Sequence, residues 1–188
     1  MQTLEQQMSF YAAYHQDARN KATHFIGVPM IIFGLFIALG WVRVEAGGVT
    51  LSAAMLLAAV VLAWYFVLDV PLALAMLVVN AALLYFADAV SLQPIATGAI
   101  WFLVFFGGGW VIQLIGHVYE GRKPALADNF FQIFVAPIFL AAEVFFALGY
   151  KPALRAGVHR RALEMRAAAG IGKQAPAERL NSGAPTAR

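Results

Sequence analysis

The stretch FIGVPMIIFGLFIALGWV, residues 25–42, carries no Asp, Glu, Lys or Arg over 18 positions. A helix rises 1.5 Å per residue, so this run extends about 27 Å, close to the roughly 30 Å hydrocarbon core of a bilayer. Within that core no water is available to the backbone, and a helix lets a single segment satisfy its own N–H and C=O groups. Four more apolar runs follow. Residues 46–68 and 70–87 read as the second and third spans, joined tightly at Asp69, which can cap the third helix while Pro71 occupies its first turn. Residues 94–119 form the fourth and pass through Gly107-Gly108-Gly109, where missing side chains predict close helix packing or a local kink. The fifth run, 130–150, contains Pro137 and Glu143.

Composition agrees with this reading. The chain is 62% hydrophobic and 12% charged, about half the charge of a typical soluble domain, and its mean hydropathy is +0.73. The expected fold is an all-α, polytopic membrane bundle of four transmembrane helices plus a Pro-bent segment that re-enters or crosses. With 188 residues, an active site has to be built from the bundle and its short loops. There is no cysteine, which excludes disulfides, thiolate nucleophiles, iron–sulfur clusters and Cys-type zinc sites. The polar amino terminus lacks the pattern of a signal peptide.

Charge suggests a topology. From Lys151 onward there are eight Lys or Arg against two Glu, which assigns the tail to the cytoplasm. The amino-terminal segment (Arg19, Lys21) and the 120–128 loop (Arg122, Lys123) are also basic. Four crossings put all three on one side only if residues 130–150 enter and return, bending at Pro137. Residues 151–169 read as a basic amphipathic helix lying against anionic lipid, and 170–188 as disordered. The Ala- and Gly-rich composition points to a bacterial inner membrane.

Polar residues in such a chain are candidates for function. Gln113, His117 and Glu120 share one helical face at i, i+4 and i+7, and Asn20 and His24 are likewise i and i+4. His15 and His24, nine positions apart, are half a turn out of phase on one helix and converge only if the chain bends. Gln16-Asp17-Ala18-Arg19 supplies that bend, with Asp17 as an N-cap. Three histidines on one side can bind a metal or act as interfacial hydrogen-bonding groups. His159, beside Arg160 and Arg161, reads as a solvated surface residue.

Two ordered blocks carry a resemblance. The first is Phe10-Tyr11, Tyr14-His15, Asn20, His24 and Val28-Pro29. The second is Gly109-Trp110, Gln113, Gly116-His117, Glu120, Lys123-Pro124-Ala125-Leu126, Asp128-Asn129, Gln132, Ala136-Pro137 and Glu143. Over residues 8–150 the chain resembles the Mpo1-like membrane protein family. The resemblance implies an iron(II)-dependent dioxygenase of fatty-acid α-oxidation, with 1–150 as its catalytic domain. A long-chain 2-hydroxy fatty acid and O₂ would give the acid one carbon shorter and CO₂. It also implies His15, His24 and His117 as Fe(II) ligands. Glu120 is then a fourth ligand, a replacement for one histidine, or an acceptor holding a histidine tautomer. Asn20, Gln113, Arg122, Lys123, Asp128, Asn129 and Glu143 stand as surrounding or substrate-contacting candidates, with lipid phosphate the rival partner of Arg122 and Lys123.

The residue chemistry is compatible. Imidazole suits Fe(II), and three protein ligands on one face leave positions for substrate and O₂. A bidentate 2-hydroxy carboxylate would bring counter-charge. Its oxidation with loss of CO₂ supplies the four electrons that O₂ takes up, so neither 2-oxoglutarate nor NAD is required. Four histidines without HxxHH pairing argue against a di-iron hydroxylase. A non-catalytic transporter or scaffold with structural histidines is the alternative.

Overall fold

The computed structural model describes residues 3–121, 124 and 130–169. Arg122, Lys123, Asp128, Asn129 and the 170–188 tail therefore lie outside the described residues. Helix α1 (Leu4–Tyr14) starts in a reciprocal cap between Thr3 and Gln6. A short bend leads to α2 (Ala18–Gly40), where the Asp17 carboxylate accepts from the Arg19 N–H at 2.8 Å. That is the bend and cap expected from the sequence. Helix α2 continues through Pro29 for 23 residues.

The second expected span is corrected at its start. Residues 43–52 form an antiparallel hairpin of β1 (Arg43–Ala46) and β2 (Val49–Ser52), with Arg43 opposite Ser52. Gly47 and Gly48 turn it at φ of 60° and 82°, the left-handed pair a two-residue hairpin turn needs. Absence of charge had suggested helix throughout, but a Gly-Gly pair between Val44 and Val49 favours a turn between β-branched residues. Arg43 ties the hairpin to the end of α4, donating to Asp88 at 2.7 Å and Ser91 at 2.8 Å. Helix α3 (Ala53–Leu68) starts only at the Ser52 cap and has 16 residues, about 24 Å.

At Asp69 the chain turns into α4 (Val70–Ser91). Its carboxylate caps Leu72 N at 3.0 Å, and Pro71 lies in the first turn. Helix α5 (Ile95–Glu120) is continuous but widens into a π-turn at Leu103–Gly107, and stops at Gly121 with φ 68°. Helices α6 (Gln132–Ala147) and α7 (Pro152–Ala168) complete the described chain. By length and composition α2, α4 and α5 can each cross a membrane, whereas α3 and α6 are shorter apolar helices. Their outer faces fit lipid: Val60, Val78 and Leu103 are 69%, 70% and 64% exposed, on apolar surface too extensive for water.

Helix α6 runs through Pro137 without ending, so Pro137 does not make the expected reversal. Lys151, just before α7, pairs with Asp69 at 2.7 Å, and Arg166 near the end of α7 pairs with Glu120 at 3.2 Å. The two ends of α7 are thus fastened to the α3–α4 turn and to the end of α5. Rather than standing apart, α7 packs on α1 through Gly157, Val158 and Ala162, with Arg161 against Glu5 at 2.7 Å.

Two cores hold the bundle. One lies at the α1 end and joins Met8, Tyr11, Leu72, Ile138, Phe139 and Ala162. The other lies toward the hairpin, around Phe36, Ile37, Ala54 and Ala87. Between α2 and α5 small residues bring the backbones together. A Cβ at Gly109 would meet Gly27 O at 2.9 Å and Ile31 Cγ1 at 2.8 Å. One at Gly116 would overlap Thr23 Oγ1 and Asn20 Oδ1. Of the two expectations for the triple glycine, close packing is met at Gly109, and a π-turn ends at Gly107.

Candidate metal centre

His15 leaves the end of α1, His24 projects from the second turn of α2, and His117 from the last turn of α5. The α1–α2 bend and the glycine-mediated α2–α5 approach bring the three together. One nitrogen from each lies within 4.8 Å of the others, and all three residues are buried. Ring centroids are 4.5, 5.1 and 5.1 Å apart. Tyr11 stacks on His15 at 3.9 Å and fixes the plane of its ring.

Hydrogen bonds define the donor set. The Nδ1–H of His15 donates to Tyr11 O at 2.7 Å, and that of His24 to Asn20 O at 2.8 Å. A carbonyl only accepts, so both Nδ1 atoms carry hydrogen and both neutral rings present an Nε2 lone pair. Those two Nε2 atoms are 3.1 Å apart. Facing lone pairs at this distance repel unless a cation lies between them. Burial first, and the adjacent His24 second, hold the His15 imidazole well below its ordinary pKa, so a proton is a poor occupant at neutral pH. A divalent metal fits. Backbone carbonyls holding the opposite ring nitrogens are also how metal-binding histidines are usually oriented.

Glu120 has a different position from those expected. Its side chain is 3% exposed, and Oε2 accepts from Gln16 N at 2.9 Å, Asp17 N at 2.7 Å and Asn20 Nδ2 at 3.2 Å. Its Oε1 faces Arg166 at 3.2 Å. The carboxylate is committed to the α1–α2 bend and does not belong to the nitrogen cluster. Asn20 links the two, offering its carbonyl to His24 and its amide to Glu120. Glu143 pairs with Lys21 at 3.1 Å and is not one of the clustered groups. His159 is exposed.

From the histidines a largely apolar cavity of about 300 Å³ runs between α2, α3, α5 and α6. On α2 it is lined from His24 to Phe36, about 18 Å along the helix. Gln113 enters it one turn before His117, fitted over Gly27. Two contributors were missed as site residues. Gln132 lies on the cavity wall, and Arg166 comes from the tail outside the resembling region. Tyr11 stood in the first resembling block without a role of its own.

An apolar helical bundle enclosing three metal-competent histidines and an elongated apolar cavity defines a class of membrane protein, and comparison gives its family. A family model described as "2-hydroxy-palmitic acid dioxygenase Mpo1-like" matches residues 1–148, and the chain belongs to the Mpo1-like family. It is 33% identical over 160 residues to the 2-hydroxy-palmitic acid dioxygenase MPO1 of Saccharomyces cerevisiae, covering 81% of this chain and 86% of the yeast protein. No solved structure matches.

Proposed function

We infer that this protein is an iron(II)-dependent dioxygenase acting on long-chain 2-hydroxy fatty acids. A 2-hydroxy acid and O₂ give the fatty acid one carbon shorter, CO₂ and water. The carbon–carbon bond to the carboxyl breaks, the hydroxyl-bearing carbon becomes the new carboxyl carbon, and the four electrons released reduce O₂. The observation that carries this reading is the position of the three imidazoles at the head of the apolar cavity.

His15, His24 and His117 would hold the ion through neutral nitrogens. Iron(II), when bound, supplies the redox chemistry that O₂ requires and a positive charge for the substrate carboxylate. Tyr11 O and Asn20 O keep the Nδ1 protons of His15 and His24 in place, leaving their Nε2 atoms free to bind. Residues such as Val28, Ile31 and Phe36 surround the acyl chain and exclude water, with each buried methylene worth about 0.8 kcal/mol. Long chains are therefore preferred. We assign the site, the amino terminus and the basic tail to the cytoplasmic face of a bacterial inner membrane, in keeping with the tail's charge.

The direct test supplies carboxyl-labelled 2-hydroxypalmitate, Fe(II) and O₂ to the purified protein. Pentadecanoate and labelled CO₂ are expected in equal amounts. Turnover that leaves the labelled carbon attached to the chain would sink the proposed reaction.

A further inference from the structure

Gln132 opens α6 and is 1% exposed. Neither its Oε1 nor its Nε2 has a hydrogen-bond partner among the described residues. A buried carboxamide with both ends unmatched is among the costlier defects a fold can carry. The side chain does not cap its helix. It instead lines the same cavity as the three histidines, on a wall supplied by α6. Two residues on, Phe134 O accepts from Tyr65, close to the α3–α4 turn, so the start of α6 is fastened at the histidine end of the bundle. From α5, Gln113 adds another buried, unpartnered acceptor, Oε1, one helical turn from His117. Polar atoms are few in this cavity, and these sit where a ligand's polar head would enter.

We propose that Gln132 is a specificity-determining residue that recognises the 2-hydroxy carboxylate head of the substrate. This rests on the substrate class inferred above. Nε2 donates to a carboxylate oxygen and Oε1 accepts from the 2-hydroxyl. A carboxamide suits both tasks because it offers donor and acceptor together. An ammonium would bind the carboxylate but offer the hydroxyl no acceptor, and a second carboxylate would repel the first. A fatty acid without the 2-hydroxyl leaves Oε1 unmatched in a buried site, and a site built to bond a hydroxyl discriminates strongly against the analogue lacking it.

The test compares wild type with Gln132→Met, similar in length but apolar, in anaerobic titrations of the iron-loaded protein with 2-hydroxypalmitate and with palmitate. Wild type is expected to favour 2-hydroxypalmitate. Gln132→Met should weaken 2-hydroxypalmitate at least about tenfold, weaken palmitate by less because only the carboxylate contact is lost there, and so remove most of the preference, with iron content retained. Its thermal midpoint should rise, because an unmatched buried amide has been removed. A preserved preference, equal loss of both acids, or a lower midpoint would each overturn the proposal. If Gln132→Met does not accumulate, Gln132→Ala is read by the same two titrations. A wild-type protein that binds both acids equally overturns the substrate class itself, and the role of Gln132 with it.

Discussion

The 3.1 Å approach of His15 Nε2 to His24 Nε2 is informative because neither nitrogen carries the hydrogen that would make it a bond. The arrangement is repulsive without a cation, so metal should both bind and stabilise. Replacing His15, His24 or His117 by Ala is expected to reduce iron, measured by elemental analysis after anaerobic loading, from about one ion per chain to a trace. His159→Ala, on an exposed turn of α7, should retain the full amount. Equal iron in all four variants would remove the metal centre. Gly116 matters for a related reason. An added Cβ overlaps Thr23 and Asn20, and Asn20 is the residue that orients His24. Gly116→Ala should cost about 1–3 kcal/mol in an overpacked contact, read as a lower thermal midpoint, and should lower iron affinity as well.

At the scale of elements, the site depends on a bend held from outside. Glu120, at the end of α5, gathers two backbone N–H groups and the Asn20 amide of the α1–α2 bend, while Arg166 from α7 contacts both Glu120 and Ala13 O. Arg166 is therefore a positioning residue by this geometry. Arg166→Ala should weaken iron binding, and Glu120→Ala should do so about 10–100-fold, as losses around metal ligands commonly do. Arg166→Lys should rescue part of the loss, because one contact to Glu120 survives. Metal titrations that leave all three variants equal to wild type would disconnect α7 from the site. Much of this arrangement was legible. Helical spacing pairs Gln113 with His117 and Asn20 with His24, and the phase mismatch of His15 and His24 requires a bend. Arg166 was not legible, because a long-range ion pair between α7 and α5 has no sequence period. The hairpin was missed for a different reason: lack of charge is common to a membrane helix and a short apolar turn, and only Gly47-Gly48 separates them.

For the whole molecule, the contacts divide the bundle into two ends. Asp69 with Lys151 and Glu120 with Arg166 gather the α3–α4 turn, the end of α5 and α7 at one end. Arg43 with Asp88 gathers the hairpin and the end of α4 at the other. We propose that α2, α3, α4 and α5 each pass between these ends, an even number that puts α1 and α7 on one side and the hairpin on the other. The absence of cysteine makes this directly testable with single introduced thiols. Thr3, Thr50 and Glu164 are all exposed, and none belongs to the metal centre. In sealed vesicles of one orientation, a membrane-impermeant maleimide should label Thr3→Cys and Glu164→Cys together, and Thr50→Cys only from the opposite face. Were residues 130–150 to cross, Glu164→Cys would label with Thr50→Cys instead, and α7 could not reach Glu120. The labelling pattern therefore tests the topology and, with it, the possibility that the carboxyl-terminal helix holds the histidine-bearing bend.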